Sequence, residues 1–265
     1  MKIYISADIE GVTGVTHWDE TDLAKSESSL FREQMTAEVV AACEGALEAG
    51  ASEIWVKDAH DSARNIIASK LPQEAKLIRG WSGHPFIMVQ ELNDSFQGVC
   101  LIGYHSRGGT GSSPLAHTMT GNITRMSINA RPASEFLIHT YAAASVKVPV
   151  VFVSGDRGLC SEITGFNPHI GTVAVKEGIG NSTVSIHPEL ATTRIREGVA
   201  KALQGDLSLC HVNLPAHFAV EIQYRRAYDA YHFGFFPGAV QKDDVTIRFE
   251  NDSYYEVMRF LLFAV

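Results

Sequence analysis

Short apolar segments that alternate with helical segments are the feature that most constrains the fold of this chain. The first unit predicts a strand over Ile3–Ile9, a helix over Phe31–Ala49 that Gly50 closes, and a strand over Glu53–Val56. The pattern continues with predicted helices and strands in turn, at Ser62–Lys70, Leu77–Gly80, Pro85–Leu92 and Val99–Gly103. Alternation of this kind is typical of an α/β fold with helices packed on a parallel sheet.

The rest of the chain adds elements of both kinds. Met126–Pro132 resembles a strand entering a turn, and the later predicted elements are a helix at Glu135–Val146, a strand at Pro149–Ser154, a helix at Glu189–Leu203, strands at Phe218–Gln223 and Val245–Phe249, and a helix at Tyr254–Phe263. We therefore predict a three-layer α/β/α sandwich with a mixed, mostly parallel sheet. Without a linker or an internal repeat, residues 1–265 are expected to form a single domain, with a C-terminal subdomain beginning near Asp206.

Charge and composition exclude several classes of partner. The chain has 30 acidic and 22 basic residues, so its formal net charge of -8 opposes binding to nucleic acid and to anionic membranes. The apolar stretch Met258–Val265 is too short to span a bilayer, and no export signal precedes Asp8, so a cytoplasmic protein is expected. The four cysteines show no CxxC spacing and are expected to be reduced and structural.

Two carboxylates close the first predicted strand. Asp8 and Glu10 are two residues apart, which on a strand places them on one face with their backbones roughly 6.5 to 7 Å apart. Two buried carboxylates would repel each other and lose hydration unless a cation compensates them. The sequence therefore favours a metal here, although a solvated pair at a strand end would also account for these two residues alone.

Two further strands end in residues that commonly bind metals. His60 follows the strand at Glu53–Val56, and His105 follows the strand at Val99–Gly103. In open α/β sheets, sites form beyond the carboxyl ends of the strands, so both histidines are expected near Asp8 and Glu10. Mixed histidine and carboxylate ligands suit zinc, as one ion or a pair. Glu135 is a weaker candidate, because a glutamate that opens a helix also interacts favourably with the helix dipole.

Other catalytic motifs are not supported. Tyr104 replaces the first glycine that a nucleophile elbow would need around Ser106, which argues against a serine hydrolase. The glycine-rich segment 108–111 lacks a following Gly-Lys-Ser/Thr, so phosphate binding is not indicated and a loop near the site is the better interpretation.

Five motifs in order resemble the bacterial D-aminopeptidase family of the DppA type. They span the first half of the chain and are Asp8-Ile9-Glu10-Gly11, Asp58-Ala59-His60, Gly103-Tyr104-His105, His117-Thr118-Met119, and Ile128-Asn129-Ala130-Arg131-Pro132-Ala133-Ser134-Glu135. The loop between His105 and His117, with its extra glycines, departs from the family pattern, as does Ala130. These departures bear on substrate preference more than on metal binding.

The resemblance implies a binuclear zinc aminopeptidase acting on short peptides, with D-amino acids preferred. It implies that two Zn²⁺ per subunit are held by Asp8, Glu10, His60, His105 and Glu135, with Asp8 as the bridge. By the same resemblance His117 is catalytic, either as the nucleophile or in proton transfer, and Asp58 is expected to support the site without ligating. The subunits would assemble into a large ring-shaped homo-oligomer, a decamer, around an inner chamber.

Two alternatives remain open from the residues. The same metals serve amidases and phosphoesterases, so the substrate could be a non-peptide amide or a phosphoester. A non-catalytic scaffold that kept its ligands would also fit the ligand pattern.

Overall fold

The larger of two sheets has seven strands in the computed structural model, which describes residues 1–265. Its strand order is β3-β2-β1-β4-β7-β8-β9, and every neighbouring pair is parallel except β8 with β9. The strands are β1 Lys2–Ala7, β2 Glu53–Asp58, β3 Ala75–Ile78, β4 Gly98–Tyr104, β7 Val150–Asp156, β8 Gly171–Ile179 and β9 Ser182–Ser185. The mostly parallel sheet of the sequence prediction is confirmed.

A smaller antiparallel sheet lies beside it, with the order β11-β12-β10-β5-β6. Its strands are β5 Ile123–Ile128, β6 Arg131–Pro132, β10 Phe218–Tyr224, β11 Ala239–Gln241 and β12 Thr246–Asn251. The β5–β6 turn uses Asn129 and Ala130 with φ of 52° and 64°, as a tight hairpin requires. This sheet thus joins a hairpin from the middle of the chain to strands from its last fifth.

Six α-helices pack on the two sheets. They are α1 Ser28–Glu48, α2 Glu135–Ser145, α3 Arg157–Phe166, α4 Pro188–Gln204, α5 Ala227–Phe233 and α6 Tyr254–Ala264. Of these, α5 and α6 lie against strands of the smaller sheet. Helices α1 and α4 pack together over β4 and its neighbours, whereas α2 packs on β4 beside α6. Gly50, with a φ of 90°, follows the end of α1. None of the helices has the length and apolar character needed to cross a membrane.

Most predicted elements are confirmed within a few residues, but two predicted helices are wrong. Ser62–Lys70 forms turns and one 3₁₀ turn at Ala68–Lys70, because the Asp58 carboxylate accepts the backbone N–H groups of Asn65 and Ile66 and so replaces helical hydrogen bonds. Pro85–Leu92 forms one 3₁₀ turn at Ile87–Val89, because buried side chains bond its carbonyls. Helices α3 and α5 and strands β8, β9 and β11 were not predicted.

The first strand also ends earlier than predicted. It stops at Ala7, so Asp8 and Glu10 lie in the turn that follows and do not share a strand face. This turn crosses β4 closely: Gly103 has a φ of 69°, and a Cβ there would lie 2.3 Å from the Asp8 carbonyl oxygen. A side chain at Gly103 would therefore push the acidic turn away from the sheet.

Candidate metal centre

The predicted site residues converge at the carboxyl ends of three adjacent strands, in the order β2-β1-β4. Asp8 and Glu10 follow β1, His60 follows β2, and His105 comes directly after β4. The fifth candidate, Glu135, is the first residue of α2 and reaches the same point from the smaller sheet's side. All five are almost fully buried.

Asp8 lies at the middle of the group. Its Oδ1 is 3.3 Å from Nδ1 of His60, and its Oδ2 is 3.5 Å from Nε2 of His105. The same Nδ1 of His60 lies 3.0 Å from Oε2 of Glu10. Each carboxylate oxygen of Asp8 therefore faces a different histidine, an arrangement in which one carboxylate can serve two ions.

Glu135 lies near His105 and near a third histidine, His117. Its Oε2 lies 3.4 Å from Nε2 of His105, and its Oε1 lies 3.6 Å from Nε2 of His117. The Oε1 atom also accepts the backbone N–H of Met119 at 2.7 Å. The imidazole rings of His105 and His117 stack with their centres 4.3 Å apart. Glu135 thus belongs to the cluster, and its position at the start of α2 adds the helix dipole as a further attraction.

Backbone carbonyls orient all three histidine rings. His60 donates through Nε2 to the Thr21 carbonyl at 3.1 Å, and His105 donates through Nδ1 to the Ser106 carbonyl at 2.9 Å. His117 donates through Nδ1 to the Leu115 carbonyl at 2.9 Å. In each ring the other nitrogen faces the carboxylates, and it carries the lone pair when the ring is neutral. Metal-binding histidines commonly have this arrangement, because the outer hydrogen bond fixes the tautomer.

The charges of the cluster demand a compensating cation. Burial, and then repulsion from Glu10, raise the pKa of Asp8. Burial disfavours the charged forms of His60 and His105, yet attraction to Glu10 and Glu135 raises the pKa of both rings. Without a metal, the site therefore holds protons on its histidines to balance its carboxylates.

The donor set fits a divalent metal. Oε2 of Glu10 and Nε2 of His105 are buried and make no hydrogen bond, although the first lies 3.0 Å from Nδ1 of His60 and the second 3.4 Å from Oε2 of Glu135. Two trios of side chains have ligand atoms within 4.8 Å of one another, and His105 belongs to both. They are Asp8, Glu10 and His105, and His105, His117 and Glu135. Nitrogen and carboxylate donors at such spacing suit zinc and similar ions.

Two buried residues support the cluster without belonging to it: Asp58, which was expected from the sequence, and Lys176, which was not. Asp58 is fully buried and, as expected, accepts hydrogen bonds from the 60–66 turn, including one from the Asn65 side chain at 3.0 Å. Lys176 on β8 is also buried, and its ammonium donates to the carbonyls of Glu10 and Val15. A lysine within a strand gives no sequence signal that it bonds to a turn more than 150 residues away.

A cavity of about 430 Å³ opens onto the cluster. His117 contributes to its lining and its side chain is 14% exposed, against 1% for His105, which does not line the cavity. Nine further residues, most of them apolar, line the rest of the cavity, and only Ala59 and Met119 among them belong to the motifs noted in the sequence. The nine are Trp18, Ala59, Asp61, Trp81, Ile87, Met88, Met119, Thr120 and Val265.

Comparison with known proteins gives one consistent result. Residues 1–263 match the sequence profile of the family Peptidase_M55, described as D-aminopeptidase. A D-aminopeptidase of Bacillus subtilis (strain 168) is 31% identical over 264 residues, which cover 99% of this chain and 96% of that protein. A solved structure, the Zn-dependent D-aminopeptidase DppA from Bacillus subtilis, described as a self-compartmentalizing protease, superposes with a TM-score of 0.94 at 30% identity. That superposition covers 100% of this chain and 96% of the solved one.

Proposed function

The chain belongs to the D-aminopeptidase family Peptidase_M55, and on this premise we propose that it is a binuclear zinc aminopeptidase that removes the N-terminal residue of short peptides. The single observation that carries the proposal is the buried cluster itself. Three carboxylates and three histidines face one another with two atoms unpartnered, at the floor of a cavity large enough for a small peptide.

We propose that Asp8, Glu10, His60, His105 and Glu135 hold the two zinc ions, with Asp8 as the bridge. The support is that the two oxygens of Asp8 face different partners, His60 on one side and His105 on the other. When bound, zinc supplies Lewis-acid polarisation of the scissile carbonyl and lowers the pKa of water towards about 7.

His117 is the residue we assign to catalysis. Its Nδ1–H is held by the Leu115 carbonyl, so the Nε2 lone pair is turned towards Glu135 at the cavity. A lone pair so placed can accept a proton from the attacking water and return it to the leaving amine, or attack the carbonyl directly. Glu135 stabilises the imidazolium that proton transfer creates. Trp18 packs edge-on to the ring at 5.3 Å and limits its rotation.

The oligomer is proposed from the solved relative, which is described as self-compartmentalizing. Copies of this chain would then enclose a chamber, as a decamer of stacked rings, and only short or unfolded peptides would reach the cavity. We further propose a preference for D-residues at the substrate N-terminus, which rests on the names of the relatives.

A substrate panel tests the activity. Protein reconstituted with zinc is assayed on dipeptide pairs that differ only in D or L configuration at the first residue, on their N-acetylated forms, on a simple aryl amide and on p-nitrophenyl phosphate. We expect hydrolysis of free D-aminoacyl peptides, little activity on the acetylated ones, and loss of turnover after chelation with recovery on adding zinc.

Other results would point elsewhere. Faster hydrolysis of the phosphate or of the blocked amide would replace the aminopeptidase with one of those activities. Elemental analysis that finds two zinc ions per chain with no turnover of any substrate would favour a scaffold role. Faster hydrolysis of the L-peptides would overturn only the stereochemical preference.

A further inference from the structure

The cavity wall beside the metal cluster contains three non-glycine residues with positive φ. Asp61, Ile87 and Met119 all line the cavity, and all have positive φ, at 47°, 46° and 65°. For a β-branched residue such as isoleucine this conformation is a true outlier. Such residues persist only where the surrounding structure holds them, and they cluster where side chains must be placed for a ligand.

Buried hydrogen bonds hold the apolar part of this wall. The Tyr4 hydroxyl donates to the Gln90 carbonyl at 2.6 Å, and the Ser6 hydroxyl donates to the Met88 carbonyl at 2.7 Å. Both donors lie on β1, the strand that leads directly to Asp8. The segment around Ile87 is therefore fixed relative to the metal cluster by the same strand that carries the cluster.

Asp61 and Trp81 form the polar and aromatic part of the wall. The indole Nε1 of Trp81 donates to the Asp61 carbonyl at 2.7 Å, and the Lys57 ammonium lies 3.8 Å from the centre of the indole ring. That ammonium also donates to the carbonyls of Asp58 and Gly80, and it forms no ion pair with the Asp61 carboxylate. The indole is thus held from two sides, although it is 41% exposed.

The Asp61 carboxylate lacks a partner. Asp61 is exposed, its carboxylate makes no ion pair or hydrogen bond within the chain, and no lysine or arginine lines the cavity. The carboxylates of Asp8, Glu10 and Glu135 are those assigned to the zinc ions, which leaves Asp61 as the one carboxylate of the cavity without an assigned partner. A positive group on the ligand would balance it, and the free N-terminus of a peptide is such a group.

We propose that this wall is the binding subsite for the first residue of the substrate, with the α-ammonium group at the Asp61 carboxylate and an apolar side chain against Trp81, Ile87 and Met119. The inference rests on the proposed aminopeptidase function and names the part of its substrate that is recognised. Asp61 is here a specificity residue, and Trp81 positions and covers the bound side chain.

Calorimetric binding to the zinc-loaded protein tests the subsite without requiring turnover. The probe is 3-methylbutylamine, which has an ammonium and a branched apolar chain but no scissile bond, and its neutral counterpart is 3-methylbutan-1-ol. We expect Asp61→Asn to weaken binding of the amine roughly 2- to 5-fold, as is typical of an exposed ion pair, and to leave binding of the alcohol unchanged. Trp81→Ala should weaken both probes. The matched control is Asp94→Asn, an exposed aspartate without partners and outside the cavity, which should change neither.

Three results overturn the subsite: no binding of the amine to the unaltered protein, equal amine affinity with and without Asp61, or equal loss for amine and alcohol in the Asp61 variant. The second result would mean that the amine binds a zinc ion directly. If Asp61 governs amine binding but no peptide is hydrolysed, the subsite stands and the aminopeptidase proposal fails. If peptides are hydrolysed but Asp61 has no effect on amine binding, the aminopeptidase proposal stands and the subsite fails.

Discussion

His105 and His117 lie side by side in the metal cluster but differ in how far their side chains are exposed. His117 and His105 have the same carboxylate partner and the same kind of backbone anchor, yet one opens to the cavity and the other is enclosed. Residue type alone could not have separated these two histidines. The exposure of the two side chains separates them. We therefore expect His105 to bind metal and His117 to act on the substrate.

Replacing each histidine in turn tests this division. His117→Ala should abolish most peptide hydrolysis while metal content stays near normal, whereas His60→Ala or His105→Ala should lose metal and activity together. Loss of general acid–base help costs about 10² to 10⁴ in rate, and loss of a nucleophile costs more. Steady-state kinetics with elemental analysis of each variant checks this. Near wild-type kcat in a fully metallated His117 variant would remove the residue from the mechanism.

Buried thiols give the protein a predictable response to alkaline pH. Burial raises the pKa of the Cys43 thiol to about 12 and that of Cys100 further, above the value of about 8.5 for an unfolded cysteine. Because the pKa of each thiol is higher in the folded than in the unfolded state, its contribution to the free energy of unfolding is complete below pH 8.5. That contribution is lost as the pH rises towards 12. Each thiol should cost about 1.4 kcal/mol of unfolding free energy per pH unit in that range.

Urea unfolding under reducing conditions at pH 8 and pH 10 measures this loss. The Cys43→Ala, Cys100→Ala double variant should be less stable at pH 8, because of the cavities left, but should lose less stability between the two pH values. If the double variant loses as much stability between pH 8 and pH 10 as the unaltered protein does, these thiols do not contribute to the pH dependence.

At the scale of elements, periodicity predicted the regular parts of the fold and failed where side chains replace backbone hydrogen bonds. Helix α1 and strand β4 could be read directly, because one is long and closed by glycine and the other is uniformly apolar. The segments Ser62–Lys70 and Pro85–Leu92 could not, because Asp58, Tyr4 and Ser6 bond to their backbones from other elements. The candidate site was predictable from strand ends, whereas the cavity wall was not, since its residues come from several loops and from the end of the chain.

Strand β8 provides a second test at this scale, because its Lys176 supports the turn that carries Glu10. Lys176→Met keeps the length of the side chain but removes both hydrogen bonds to the turn. We expect zinc affinity to fall roughly 10- to 100-fold, as is common when groups behind metal ligands are lost. Competition with a chromogenic chelator measures this. Lys76→Met, which removes an exposed ion pair with Glu53 and a cation–π contact with Trp55, is the control and should retain full affinity.

At the scale of the whole molecule, an aromatic surface on the smaller sheet's side is left uncovered. We define it by Tyr228, Tyr231, Phe235 and Phe263, whose exposed fractions are 66%, 62%, 71% and 63%. Tyr231 and Phe235 contact each other edge-on at 5.1 Å. Clustered exposed aromatic residues are typical of protein interfaces, and the proposed homo-oligomer supplies a second copy of this chain as the partner.

Light scattering tests the assembly and this surface together. The protein should have a mass several times the 28.9 kDa of one chain, and Phe235→Glu should reduce it by placing a charge in the contact. Leu30→Glu, at a residue on α1 that is 74% exposed, serves as the control. A monomer in the unaltered protein would remove the chamber, and dissociation by the Leu30 variant alone would place the contact elsewhere.

The buried cluster of carboxylates also couples the amount of folded protein to zinc supply. Folding brings Asp8, Glu10 and Glu135 together in a water-poor site, which is unfavourable until a cation is present. By mass action, each tenfold rise in free zinc above its dissociation constant adds about 1.4 kcal/mol of stability for each ion bound. The melting temperature should therefore rise with free zinc concentration, and a constant value across that range would contradict the linkage. Scarcity of zinc would then reduce the number of enzyme molecules that survive proteolysis as well as the activity of each one.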